Sequence, residues 1–141
     1  KTTVLQRILK HPILKILIKQ MKKGEIYWVN LDPTNGSEIS KTRPAIIVSN
    51  DVNNVYSDTV TILPITSNTE KIYPYEVLLT KGEANLVNAS KAKANQIRTI
   101  DKQRIGKKIG KVSNSVIMEI ENAILVHLAI KQDNSKESKN D

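Results

Sequence analysis

The rhythm of apolar positions changes twice along the chain. In residues 1–20, KTTVLQRILKHPILKILIKQ, Val4, Leu5, Ile8 and Leu9 have helical spacing, as do Leu14, Leu17 and Ile18, with Pro12 between the two groups. From Gly24 the pattern turns to strands. GEIYWVNL (24–31) is rich in β-formers and ends at the turn signal Asp32-Pro33. A polar loop follows from Thr34 to Thr42 and contains Gly36. Ala45 to Val48 is continuously apolar and reads as a buried strand. Thr59 to Ile65 alternates, Tyr75 to Leu79 is a further strand, and Lys81-Gly82 marks a turn. Lys91 to Thr99 alternates as a half-exposed strand would, and Gly106 and Gly110 punctuate the stretch beyond it. The third rhythm is helical again. In SNSVIMEIENAILVHLAI (113–130), Ser113 or Ser115 can cap a helix whose apolar stripe is Ile117, Ile120, Ile124 and Leu128.

Several short strands with one or two helices predict a β-rich (α+β) chain folded as a small half-open barrel with helices against it. The sequence is organised as a basic amphipathic leader (1–20), a single domain (21–131) and a polar tail (132–141). Met21-Lys22-Lys23 reads as a start; the sequence leaves open whether the leader is native. That leader has the character of a membrane-surface or partner-binding helix, but it lacks a signal-peptide cleavage site.

Composition narrows the chemistry. With 141 residues and no cysteine, the domain can bury a core without disulfides and offers no thiolate nucleophile or ligand. Two histidines are too few for a His-rich metal site. No apolar run approaches the roughly 20 residues of a membrane span. The net charge is +8, and residues 91–111 hold eight Lys and Arg against Asp101 alone. Such a patch suits a polyanion or an acidic protein, and it equally suits a soluble surface. Glu119 and Glu121 point in different directions on a helix and read as surface, and His127 reads as a rim residue.

Catalytic signatures are scarce: there is no Gly-rich phosphate loop, nucleophile elbow or H-E-x-x-H. A reaction that asks little of the protein is RNA cleavage by internal transesterification, because the 2′-hydroxyl is already beside the phosphorus. A guanidinium can stabilise the charged phosphorane with two parallel hydrogen bonds. Arg43, followed by Pro44 and a buried strand, is placed to be such a donor.

Five motifs in order, G-E-I-Y-W-V-N-L-D-P (24–33), G-S-E (36–38), T-R-P-A-I-I-V-S-N-D (42–51), P-I-T-S (64–67) and Q-I-R-T-I-D (96–101), resemble the MazF/PemK family of toxin endoribonucleases across residues 21–131. The resemblance implies an SH3-like half-open barrel of the MazF/PemK/CcdB type with a C-terminal helix. It also implies a cytoplasmic homodimer that cuts single-stranded RNA, chiefly mRNA, without metal or other cofactor and is neutralised by an acidic MazE-like antitoxin. It places catalysis on Arg43 and Thr66, and RNA binding on Gly36, Ser37, Glu38, Lys93, Asn95, Gln96 and Arg98. Where some members carry an arginine and the aspartate taken as the base, this chain has Lys93 and Asn95, so the base is left unassigned. Two rival readings are a gyrase-poisoning toxin of the same fold and a non-catalytic SH3-like binding module.

Overall fold

The computed structural model describes residues 3–4 and 20–133. The leader expected at 1–20 therefore lies outside the described residues, apart from Thr3, Val4 and Gln20. Seven strands and two α-helices make up the domain: β1 (Glu25–Asn30), β2 (Thr42–Ile47), α1 (Asp51–Tyr56), β3 (Thr59–Thr66), β4 (Glu76–Leu79), β5 (Ser90–Lys93), β6 (Arg98–Asp101), β7 (Ile105–Lys111) and α2 (Asn114–Leu128). All strand pairings are antiparallel, in the order β4-β5-β3-β2-β1-β7, with β6 also on β3. The sheet does not close into a barrel, in keeping with the half-open architecture expected.

β3 is the spine. One edge pairs with β2 through Ala45–Pro64, Ile46–Leu63 and Ile47–Ile62. The other edge is divided: its first half pairs with β6 from Thr59–Asp101 to Ile62–Arg98, and its end pairs with β5 at Ile65–Ala92 and Thr66–Lys91. The division arises because Ala94–Gln96 forms a tight 3₁₀ turn. The single strand expected from Lys91 to Thr99 is thus two strands in two different pairings.

Both faces of the sheet are buried, so successive residues enter different cores. Ile26, Ile46, Leu63 and Ile65 pack with Ile120 and Ala123 of α2, whereas Tyr27, Ala45, Ile47, Val60 and Ile62 pack with Met21, Leu31 and Ile100 on the other side. This explains why β2 reads as a continuous apolar run. Helix α2 begins where Ser113 Oγ accepts from Val116 N at 3.4 Å and ends at Ala129, whose φ is +54°. Ile117, Ile120 and Ile124 face the core as expected. Leu128 does not: it lies in the last turn with 50% of its surface exposed, and Ala123 occupies the close-packed position instead.

Two elements are additional to those read from sequence. α1 is a six-residue helix started by Asn50, whose Oδ1 accepts from Asn53 N at 2.8 Å. β7 runs along β1 with register shifts. Gly110 permits its path, since a Cβ there would stand 2.2 Å from the Ala84 carbonyl oxygen.

Candidate active site

The pairing of β2, β3 and β5 sets a row of side chains across the sheet. Continuing the β2–β3 register by two residues sets Arg43 across from Thr66, and Thr66 is paired on its other side with Lys91. Directly opposed residues share a face of the sheet, with strands about 4.8 Å apart. A guanidinium, a hydroxyl and an ammonium are thereby aligned. All three line a cleft of about 300 Å³, together with Ser37, Glu38, Asn68 and Lys93.

Each member of the row is held. Arg43 Nε donates to the Ser40 carbonyl at 2.8 Å, which fixes the head group beside the loop that precedes β2. Thr66 Oγ1 accepts from Asn68 N at 3.3 Å where the chain leaves β3. Lys91 is nearly buried, and its Nζ donates to the Lys71 carbonyl at 2.8 Å and to Glu76 Oε1 at 3.1 Å. Lys93 Nζ lies 3.3 Å from Glu76 Oε2. Glu76 is closed off from solvent and opposes Lys93 in the β4–β5 register. Burial pushes the Glu76 carboxyl up, but the Tyr73 N–H and the two lysines outweigh that and hold it below its ordinary value.

The loop between β1 and β2 forms the opposite wall. Gly36 takes φ +52°, and Glu38 Oε1 accepts from Asn35 N at 2.7 Å to close the turn. The residues of the Q-I-R-T-I-D motif secure this loop. Gln96 Oε1 accepts from Ile39 N at 3.4 Å, and an Arg98 N–H donates to the Leu31 carbonyl at 3.1 Å. Asn95 Oδ1 is buried with no hydrogen-bond partner among the described residues. Of the nine expected site residues, Ser37, Glu38, Arg43, Thr66 and Lys93 therefore line the cleft. Gly36 is exposed on the loop beside Ser37, and Asn95, Gln96 and Arg98 do not line the cleft, the last two serving as ties to its loop.

Lys91 also lines the cleft and is not among those nine. Its signal was its place within the basic 91–111 segment, but only the burial against Glu76 distinguishes it there. A second compartment lies beyond Arg43 and Thr66, which line both. It has a volume of about 390 Å³ and is walled by Trp28, Pro44, Ile65 and Leu86. Two further hollows flank α2 and contain none of the expected site residues. Glu121 there is exposed and paired with Lys23 at 3.5 Å, as the surface reading of that acid implies. No group of three or more potential metal ligands occurs among the described residues.

A small half-open antiparallel sheet with a C-terminal helix, carrying a cleft lined by Arg43, Lys91 and Lys93, defines the class of domain. Residues 22–128 match the model of the PemK-like, MazF-like toxin of type II toxin–antitoxin systems, and the chain belongs to that family. It is 41% identical over 113 residues to endoribonuclease MazF9 of Mycobacterium tuberculosis, covering 77% of this chain and 96% of that protein. It is 36% identical over 111 residues to endoribonuclease MazF of Staphylococcus saprophyticus, covering 78% and 92%. The fold is similar to crystalline MazF from Deinococcus radiodurans, with a TM-score of 0.71, 24% identity, and coverage of 80% of this chain and 100% of that one. A mycobacterial endoribonuclease solved with its cognate antitoxin gives a TM-score of 0.67 at 21% identity, covering 80% and 99%.

Proposed function

We propose that this toxin is a metal-independent endoribonuclease that cuts single-stranded RNA, chiefly mRNA, by transesterification at the Arg43–Thr66–Lys91 row. The row carries the reading, because it sets two cations and a hydroxyl on one phosphate-sized track. The substrate's 2′-oxygen forms a bond to phosphorus and the P–O5′ bond breaks, leaving a 2′,3′-cyclic phosphate and a 5′-hydroxyl. Arg43 stabilises the equatorial oxygens, whose charge grows in the transition state. Thr66 orients the attacking hydroxyl or the phosphate, and Lys91 and Lys93 neutralise the backbone. Glu38 is the carboxylate among the cleft-lining residues that can take the 2′-proton.

Family membership and the endoribonuclease names of the relatives favour this over gyrase poisoning or passive binding. The toxin acts in the cytoplasm, as a homodimer, and an acidic MazE-like antitoxin competes for the cleft. Salt should weaken that competition. RNA and antitoxin bound together at full affinity would rule out a shared cleft.

Arg43→Ala should slow cleavage about 100-fold, the loss for one preorganised donor. RNA affinity should fall much less, because other cations still neutralise phosphates. Arg43→Lys should restore only part of the rate, keeping charge without the two-pronged fit. Sequencing the 5′ ends of cut RNA and assaying with a chelator complete the test. Wild-type rates from Arg43→Ala, or cleavage abolished by chelator, would remove the mechanism.

A further inference from the structure

We propose that the compartment beyond Arg43 and Thr66 holds the nucleobase of a nucleotide flanking the scissile phosphate, with Trp28 as the surface on which it stacks. The proposal rests on the ribonuclease reading. Trp28 stands in the middle of β1, where Tyr27 and Val29 are each 1% exposed, yet 44% of its own surface is open. Water is a poor neighbour for an indole fixed in a sheet, and a base supplies the flat apolar partner it lacks.

The surroundings keep that surface clear. β7 crosses beside Trp28 at Gly106, where a Cβ would lie 3.3 Å from the Trp28 carbonyl oxygen and 3.7 Å from its Cβ. Ile65 and Leu86, both nearly buried, give the compartment an apolar floor. The opposite wall is fixed because Asn85 Nδ2 donates to the Ile109 carbonyl at 3.1 Å. Asn88 adds an amide with both donor and acceptor, the pair needed to read the polar edge of a base. A volume of about 390 Å³ lies within the range of small-ligand pockets.

Continuity with the cleft selects the occupant. Trp28 opposes Pro44 and so lies on the other face of the sheet from Arg43 and Thr66, but these two stand at the ends of β2 and β3 and line both compartments, so a phosphate held there can pass one nucleoside round the end of the strands to the Trp28 side. The cationic side then handles backbone charge, while the Trp28 side accepts a base and supplies sequence preference.

Trp28 is the sole tryptophan, so its fluorescence reports on this compartment alone. The probe is a seven-nucleotide RNA centred on the mapped cleavage step, made uncleavable by a 2′-deoxy sugar at the attacking ribose. It should quench Trp28, and an abasic sugar at one of the two flanking nucleotides should restore emission while abasic sugars elsewhere do not. Trp28→Leu should raise KM about tenfold, the loss of one stacked base, and relax the preference at that same nucleotide. If no single abasic position alters the quenching, or only an acidic peptide quenches, the compartment is not a base site. The abasic series uses the wild-type protein, so it decides the matter even if Trp28→Leu folds poorly. A wild-type protein that cuts no RNA would instead remove the ribonuclease reading beneath it.

Discussion

Two buried carboxylates, Glu25 and Glu76, use similar partners to different ends. Glu25 sits on β1, where Oε1 accepts from Lys22 N at 2.6 Å and from the Tyr27 hydroxyl at 2.9 Å, and Oε2 is paired with Lys108. Burial pushes its pKa up, and these partners together bring it below the ordinary glutamate value. The Tyr27 hydroxyl is pushed up by burial and by that bond. Nothing in this arrangement reaches the cleft, and Lys108 is half exposed. Glu76 instead gathers two lysines, both of which line the cleft. One carboxylate against two ammonium groups leaves a net positive charge in the lining of the cleft. The difference is in what surrounds each acid: Glu25 closes a local structure, whereas Glu76 aims charge outward.

Substitution should separate the two most sharply at Glu76. Glu76→Gln leaves nearly buried Lys91 without its counter-charge, and urea unfolding should register a loss of about 3 kcal/mol. Cleavage should fall as well, because both lysines lose their anchor. A Glu76→Gln protein of wild-type stability and rate would make the two carboxylates equivalent.

Lys91→Met tests the outward-facing charge directly. It keeps the aliphatic stem, so the fold should survive. RNA affinity should weaken, and the dependence of log affinity on log salt should lose about one phosphate contact. An unchanged salt slope would mean that Lys91 only supports Glu76.

Glu25→Gln should do less. The amide oxygen can still accept from Lys22 N and Tyr27 Oη, while Lys108 turns to water, so the expected loss is about 1 kcal/mol with cleavage unchanged. A large drop in cleavage would show that β1 and the cleft are coupled through this acid.

Acid titration gives the smallest effect. Both carboxyls are held below the ordinary glutamate value in the folded state, so the stability they contribute is complete above that ordinary value. It is lost as pH falls through the depressed folded values. Unfolding free energy followed by urea should therefore decline on acidification below about pH 4.5, and Glu76→Gln should flatten part of that decline. An identical slope in the variant would remove Glu76 from the account.

β1, β2, β3, β4 and α2 were legible because hydrophobic period and capping agree locally. β7 was not: IGKKIGK has two glycines and exposed lysines, and becomes a strand by pairing with β1. α1 was hidden in DVNNVY, whose Asn50 cap reads equally well as the end of a strand. Arg43 and Thr66 could be nominated by motif, but their opposition depends on strand register. Lys91 and Lys93 look alike in sequence as alternating polar positions. Only contact with Glu76, fifteen residues from Lys91, makes them a pair with one buried counter-ion.

Thr66 belongs to β3, and Arg43 and Lys91 reach the row only through the pairing of β2 and β5 with that strand. A slip of one residue in β2 or β5 would turn that strand's cation to the opposite face. A collapsed chain with the right strands one step out thus has every amino acid of the proposed site and no site. The same geometry sets a schedule during synthesis, when the chain emerges N-terminal end first. Arg43 and Thr66 are made early, but the row waits for β5, the fifth strand in chain order. A half-made toxin therefore lacks a complete cleft while its own message is still being read.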